Sequence, residues 1–275
     1  MVYPKEMILR GYSIEFFMAD YNISTTHCHL GNPVTTPPHP RWRVLITGIL
    51  LSVAPACILA APDRIEKEAR ALQSEWADIF YKAPRGQQVE LYRGLLTRIR
   101  ALKDQHPERA EPLIVEAITL CTYSGSALGL DTLEVLEQAR ELLQKAIDLN
   151  PPALDGAAYM TLGNLYRRLP GWPVLYGDKT LARQYFEHAV KLYPDAIDSN
   201  YFLGEFLLDQ GDYDGALPFL ERSSRAPIRP SLRVSDEKLR EENTEAMANA
   251  REHKPSHSDF FGLFTPSFGQ DKKKR

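Results

Sequence analysis

Residues 182–220 read ARQYFEHAVKLYPDAIDSNYFLGEFLLDQGDYDGALPFL, and this stretch decides the fold. Ala182, Phe186 and Ala189 follow one another at intervals of four and three, and Pro194 comes five residues later. Intervals of four and three place side chains on one face of a helix, and a proline ends the helix. The stretch therefore predicts helices that alternate with short breaks.

The same spacing of apolar residues occurs three more times along the chain. The matching positions are Leu95, Ile99, Leu102 and Pro107, then Ala139, Leu143, Ala146 and Pro151, and finally Ala216, Leu220 and Ser223, with Pro227 one residue early. Each of these helices has a partner upstream, and small residues such as Gly163 and Gly204 stand where the two helices of a pair would meet. We expect the small residues to let the paired helices pack closely.

Ala182 and Ala216 are 34 residues apart, and the repeating unit resembles the tetratricopeptide repeat, a helix–turn–helix of that length. The best match runs from Asn200 to Leu220, and the resemblance covers about residues 64–228. It implies an all-α, right-handed solenoid of about four helix pairs. A polar stretch at 236–253 predicts a C-terminal capping helix, because terminal repeats need a polar outer face.

Composition divides the chain into five parts. They are a doubtful leader at 1–40, a signal peptide or membrane anchor at 41–61, the repeat domain at 62–230, the capping helix at 231–253 and a flexible tail at 254–275. A translation start placed too early would explain the leader, and a real extension is the alternative. Two arginines precede an uncharged apolar run at 44–61 that ends in small residues, which is typical of a secretory signal peptide. A retained anchor is the alternative, since the run approaches the ~20 residues of a spanning helix.

The signal predicts export to the periplasm, and the anchor would instead hold the protein in the inner membrane, facing the periplasm. Outside residues 1–61 the chain has a single cysteine, Cys121, so no internal disulfide is expected there. The formal net charge of −3 disfavours a dedicated nucleic-acid binder. His27-Cys28-His29 looks like a metal cluster but lacks a fourth ligand at a usable spacing. The sequence has no catalytic or phosphate-binding motif, so we expect neither an enzyme nor a cofactor or metal.

Two turns inside helix pairs are longer than the turn of the last pair, at 122–130 and 169–178. Turns inside successive pairs lie along one edge of a solenoid, so the two loops should be neighbours. Long ordered loops are often functional. The candidate loop site consists of Tyr123, Trp172, Tyr176 and Asp178. Trp172 and Tyr176 would either contact a ligand or partner, or fold back over the adjacent helices.

The resemblance also implies a concave groove lined by the first helix of each pair. Helical spacing predicts six exposed positions in that groove: Met160, Asn164, Arg167, Tyr201, Glu205 and Leu208. A groove of this mixed polarity suits a peptide segment. We therefore expect a non-enzymatic periplasmic adaptor that binds a protein or peptide through the groove and the two loops.

A second expectation comes from three sequence segments, PGWP at 170–173, YGDK at 176–179 and DSNYFLGEF at 198–206. These segments look like a group of exported bacterial repeat proteins that have no assigned reaction. They are also loosely similar to the T component of tripartite (TRAP) solute transporters, a periplasmic helical-repeat protein. This resemblance implies the alternative of a transport accessory that binds a small solute between the two long loops.

Overall fold

The computed structural model describes residues 62–127, 132–173 and 175–255. In these residues the chain is helical and has no strand. No helix among them is long and apolar enough to cross a membrane. The leader, the apolar run at 44–61, the His27-Cys28-His29 cluster and residues 256–275 lie outside this part of the chain, so the expectations for them stay predictions.

The described residues form nine α-helices and one 3₁₀ turn. The helices are α1 (Arg64–Lys82), α2 (Arg85–Gln105), α3 (Ala110–Ala127), α4 (Thr132–Leu149), α5 (Ala153–Arg168), α6 (Lys179–Leu192), α7 (Ile197–Asp209), α8 (Tyr213–Arg225) and α9 (Arg233–Arg251), and the 3₁₀ turn is Pro230–Leu232. Helices α1 to α8 pack as four consecutive pairs. The expected all-α solenoid of tetratricopeptide type is confirmed.

The second helix of each pair buries the residues that share the four–three spacing. These are Leu95, Ile99 and Leu102 in α2, Ala139, Leu143 and Ala146 in α4, Ala182, Phe186 and Ala189 in α6, and Ala216, Leu220 and Ser223 in α8. Each of these helices ends two residues before the proline that the spacing pointed to. Local periodicity therefore predicted both the buried face and the end of each helix.

Two glycines allow close packing within the third and fourth pairs. A Cβ atom on Gly163 would lie 2.6 Å from Cε1 of Phe186, and one on Gly204 would lie 2.6 Å from Cδ2 of Leu220. Both distances are far below van der Waals contact, so a larger residue would push the two helices of the pair apart. The expectation that small residues permit close packing is confirmed.

The first helices of the four pairs form an inner ring together with α9. Helix α1 packs on α3, α3 on α5, α5 on α7 and α7 on α9, and α9 returns to contact α1. The outer helices α2, α4, α6 and α8 each pack between two successive members of this ring. The capping helix was expected on the last repeat, but nothing in the sequence pattern predicted that it would reach the first.

Candidate functional site

The six residues expected to line an open groove are buried. Their exposed fractions do not exceed 8% for Met160, Asn164, Arg167, Tyr201, Glu205 and Leu208. The expectation that they are exposed is wrong, because the closed ring places this face of α5 and α7 against neighbouring helices. Their role in binding a partner stays a prediction. We call these six residues the concave face.

One end of the concave face carries a cluster of charged and phenolic side chains that joins three helices of the inner ring. Arg167 of α5 donates from Nη1 to Oε2 of Glu205 at 2.9 Å and from Nε to Oδ2 of Asp209 at 2.6 Å, both on α7. Tyr201 of α7 donates its hydroxyl proton to Oε2 of Glu242 on α9 at 3.1 Å. We call this set, together with Arg168, the carboxyl cluster.

Burial shifts the pKa values of this cluster. Burial, assisted by the nearby charge of Glu205, raises the pKa of Glu242 to about 7. The pKa of Asp209 is also raised by burial, and that of Tyr201 lies well above its usual value. Arg168 lies 3.6 Å from Glu205, and burial lowers the pKa of its guanidinium. A Glu242 carboxyl that titrates near neutrality therefore sits at the contact between α7 and α9.

Arg229, which lies just before the 3₁₀ turn, binds carboxylates near the N-terminal ends of α5, α7 and α9. Its guanidinium donates to Asp155 at 3.2 Å, to Asp198 at 2.8 Å and to Asp236 at 2.7 Å. Arg70 of α1 donates to the same Asp155 at 3.0 Å. We call these five residues the Arg229 cluster, and it links α1, α5, α7 and α9.

The backbone departs from helical geometry within the first turn of α5, where Asp155 joins this cluster. Leu154, Asp155 and Gly156 adopt φ values of 47°, 58° and 73°, all in the left-handed region. That region costs an L-residue about 1–2 kcal/mol, whereas glycine adopts it freely. The two ion pairs of Asp155, with Arg70 and Arg229, offset part of this strain.

The two aromatic residues of the loop between α5 and α6 differ: Tyr176 packs against the protein, and Trp172 is exposed. Tyr176 folds back, donating its hydroxyl proton to the carbonyl oxygen of Leu136 at 3.0 Å, with the guanidinium of Arg140 over its ring. Asp178 caps α6 by accepting from the backbone N–H groups of Thr180 and Leu181. Trp172 is 90% exposed. We call loop 169–178, without the undescribed residue 174, the Trp172 edge.

The first long loop is shorter than expected. Helix α3 continues to Ala127, so Tyr123 lies within a helix and not in a loop, and its partly buried side chain packs against the core. Residues 128–131 lie outside the described part of the chain, so the expected proximity of the two loops is untested. Tyr176 does place the second loop against α4, the helix that follows the first loop.

The Arg229 cluster was missed at the sequence level. Arg70 and Asp155 are separated by 85 positions, and Arg229 and Asp198 by 31. Pairings at such distances leave no periodic pattern. The one local signal was Asp236, a charged residue on the same helical stripe as Leu239, Asn243 and Ala246, which are buried.

Residues 177–227 match the family model for the tetratricopeptide repeat. The matched segment spans α6, α7 and α8, and the same pairing of helices continues back to α1. Together with the matched segment, this pairing makes the described part of the chain a solenoid of tetratricopeptide type. No protein of the curated set matches it.

Proposed function

We propose that this protein is a non-enzymatic scaffold that binds a protein partner through the Trp172 edge. The repeat family supports a role in protein interaction. The observation that carries the proposal is the 90% exposure of Trp172 on a loop that is fixed at both ends. Large exposed aromatic residues are frequent anchors of protein interfaces, and tryptophan is among the most enriched.

The loop that presents Trp172 is held in place before any partner binds. Gly177 donates its backbone N–H to the carbonyl of Pro170 at 2.9 Å, and Asp178 donates to the carbonyl of Tyr166 at 2.9 Å. A fixed loop loses little conformational entropy on association, so a larger share of the contact energy appears as affinity. Trp172 is therefore presented on a preorganised loop.

We further propose that the protein acts in the periplasm, either released or anchored to the inner membrane. The support is the sequence at 41–61, with its arginines, apolar run and small-residue exit. Expression in a bacterial host followed by fractionation and N-terminal sequencing tests this. A mature chain that begins near residue 61 supports release, and an intact chain in the cytoplasmic fraction contradicts export.

The binding proposal is tested by capture of partners from a periplasmic extract with the tagged protein. Trp172→Ala should lose the partner, and Leu91→Ala should retain it. Leu91 is 42% exposed on the outer helix α2 and is the matched control for removal of a surface apolar side chain. Equal recovery of the same partner by Trp172→Ala and by the unaltered protein would contradict the proposal.

The competing proposal, a small solute held beside the same loop, is tested with a second substitution at the same position, Trp172→Phe. Titration of the protein with a panel of metabolites is followed by tryptophan emission and by thermal unfolding. A saturable response that disappears in Trp172→Phe favours the solute. Partner capture without any such response favours the scaffold.

A further inference from the structure

An open cleft lies between the outer helices α2 and α4, beside the turn that joins the first pair to the second. Both helices pack on α3, which forms the floor of the cleft. The cleft has a volume of about 350 Å³, and its lining residues are Lys103, Asp104, Pro107, Leu113, Leu142 and Lys145. This volume lies near the lower end of the range for small-molecule sites, so the cleft has room for a small ligand only.

The next interval along the solenoid, between α4 and α6, is occupied by three aromatic side chains of the protein itself. Tyr159 of α5 stacks on the imidazole of His188 of α6, with 4.5 Å between the ring centroids. The ring of Tyr185, also on α6, lies 6.3 Å from that of Tyr159, and its hydroxyl is hydrogen-bonded to Gln144 of α4. Tyr159 is buried. The second interval therefore holds rings where the first holds a cleft.

The repeat spacing shows which residues of the first interval stand at the three ring positions of the second. Helices α4 and α6 align on the first residue of the four–three spacing, and α3 and α5 align on Ala117 and Gly163. The corresponding positions are Leu142 with Tyr185, Lys145 with His188, and Leu113 with Tyr159. All three residues of the first interval line the cleft. The cleft therefore lies where two leucines and a lysine replace three rings.

The charged groups at the cleft comprise three cations and two carboxylates. Glu116 of α3 is fully buried and accepts from Nε of Arg100 at 2.8 Å and from Nζ of Lys103 at 2.6 Å. Two cations therefore share one carboxylate. Lys145 adds a third cation at the exposed rim, and Asp104 supplies the second carboxylate. The surplus of one positive charge favours a ligand with a single negative charge.

We propose that this cleft binds a small aromatic carboxylate. The ring of the ligand lies on Leu113 and Leu142, in the space that aromatic side chains take in the interval between α4 and α6. Its carboxylate pairs with the ammonium group of Lys145, and Lys103 adds a second positive charge from the opposite wall. The inference goes beyond the proposed scaffold function and does not depend on it.

Phenylacetate is the probe, and ligand-observed saturation-transfer NMR measures its binding to the full chain. We expect a dissociation constant on the order of 1 mM, because so small a ligand has few atoms with which to gain affinity. Acetate keeps the charge without the ring, and benzyl alcohol keeps the ring without the charge. Each should bind about tenfold more weakly than phenylacetate, since each loses one of the two contacts. Tighter binding of phenyl phosphate than of phenylacetate would contradict the assignment to a carboxylate.

Two variants separate the charge of the cleft from its space. Lys145→Gln removes a cation at an exposed position and should weaken phenylacetate binding by about fivefold. Lys191→Gln, at an exposed position in the last turn of α6, is the matched control and should bind as the unaltered protein does. Leu142→Tyr places a ring at the position that corresponds to Tyr185 and should abolish binding by filling the cleft. Thermal unfolding checks that Leu142→Tyr is folded, and Lys145→Gln tests the site in either case.

The proposal is overturned if phenylacetate shows no saturable binding to the unaltered protein up to about 10 mM. It is also overturned if Lys145→Gln binds phenylacetate as tightly as the unaltered protein does. The failure of the scaffold proposal is separately visible. The cleft lies beside a turn between two pairs, whereas Trp172 lies on a loop within a pair, and antiparallel helices place these connections at opposite ends. Trp172→Ala should therefore leave phenylacetate affinity unchanged.

Discussion

The concave face and the Trp172 edge distribute their side chains in opposite ways. The concave face and the clusters at its ends bury arginines and carboxylates, whereas the Trp172 edge exposes the largest apolar side chain of the loop. A buried charge is tolerated only while its partners stay in place, but a tryptophan that is 90% exposed has little intramolecular contact to lose. Stability of this protein therefore depends on its inner ring, and the Trp172 edge is free to be selected for binding.

The largest effect is expected where the inner ring is closed. Arg229→Ala should lower the free energy of unfolding by about 3–5 kcal/mol, because it leaves Asp198 and the fully buried Asp236 without their cation. Urea unfolding measures the change. Arg233→Ala removes an exposed pair with Glu237 and should change stability by less than about 1 kcal/mol. Equal effects of the two changes would show that the Arg229 cluster does not close the ring.

A smaller effect is expected within a helix pair. Gly163→Ala should reduce stability by about 1–3 kcal/mol, since the added Cβ would overlap the ring of Phe186. Gly94→Ala is the control, because nothing lies within 4 Å of a Cβ at that exposed position of α2. It should instead stabilise the protein by about 0.5–1 kcal/mol through helix propensity. An unchanged free energy of unfolding for Gly163→Ala would mean that the contact between α5 and α6 accommodates the added methyl group.

The packing between paired helices could be predicted from the sequence, but the closure of the ring could not. Phe186 and Gly163 lie in patterns that repeat every few residues, and such patterns report which face of a helix is buried. Arg229 reaches Asp155 over 74 positions, and neither residue occupies a position of the recurring four–three spacing. Spacing also placed Tyr201 and Glu205 on a common face but carried no information on whether another helix covers that face.

The candidate loop site was also only partly predictable from the sequence. The sequence placed Trp172 and Tyr176 in one long loop, and the structure confirms that loop between α5 and α6. The sequence left open whether the two rings fold back or project. Tyr176 folds back because its hydroxyl donates a hydrogen bond to the carbonyl of Leu136 on α4. No local sequence pattern predicts that partner.

The carboxyl cluster should make stability depend on pH. The pKa of Glu242 is raised from an ordinary value of 4.5 to about 7, so the folded protein binds more protons than the unfolded chain between these values. Stability contributed by this group therefore falls as the pH rises through that window. Between pH 5 and pH 8, the free energy of unfolding of the unaltered protein should fall by about 1–2 kcal/mol more than that of Glu242→Gln. Urea unfolding at the two pH values measures this difference.

The matched control for the pH measurement is Glu245→Gln, at an exposed position of the same helix. Its free energy of unfolding should change between pH 5 and pH 8 by the same amount as that of the unaltered protein. If the stability of Glu242→Gln also changes in parallel, the carboxyl of Glu242 is ionised in the folded state throughout. The contrast between a titrating carboxyl cluster and an inert loop edge is then lost.

The smallest effect is expected at Trp172. Trp172→Ala should change the free energy of unfolding by less than about 0.5 kcal/mol, because the side chain is 90% exposed. Tyr176→Phe, four residues along the same loop, should lower it by about 1 kcal/mol through loss of the hydrogen bond to Leu136. A destabilised Trp172→Ala would show that the indole supports the loop, and any loss of partner capture by that variant would then reflect a misplaced loop. Unchanged stability makes lost capture a direct measure of the contact that Trp172 makes with its partner.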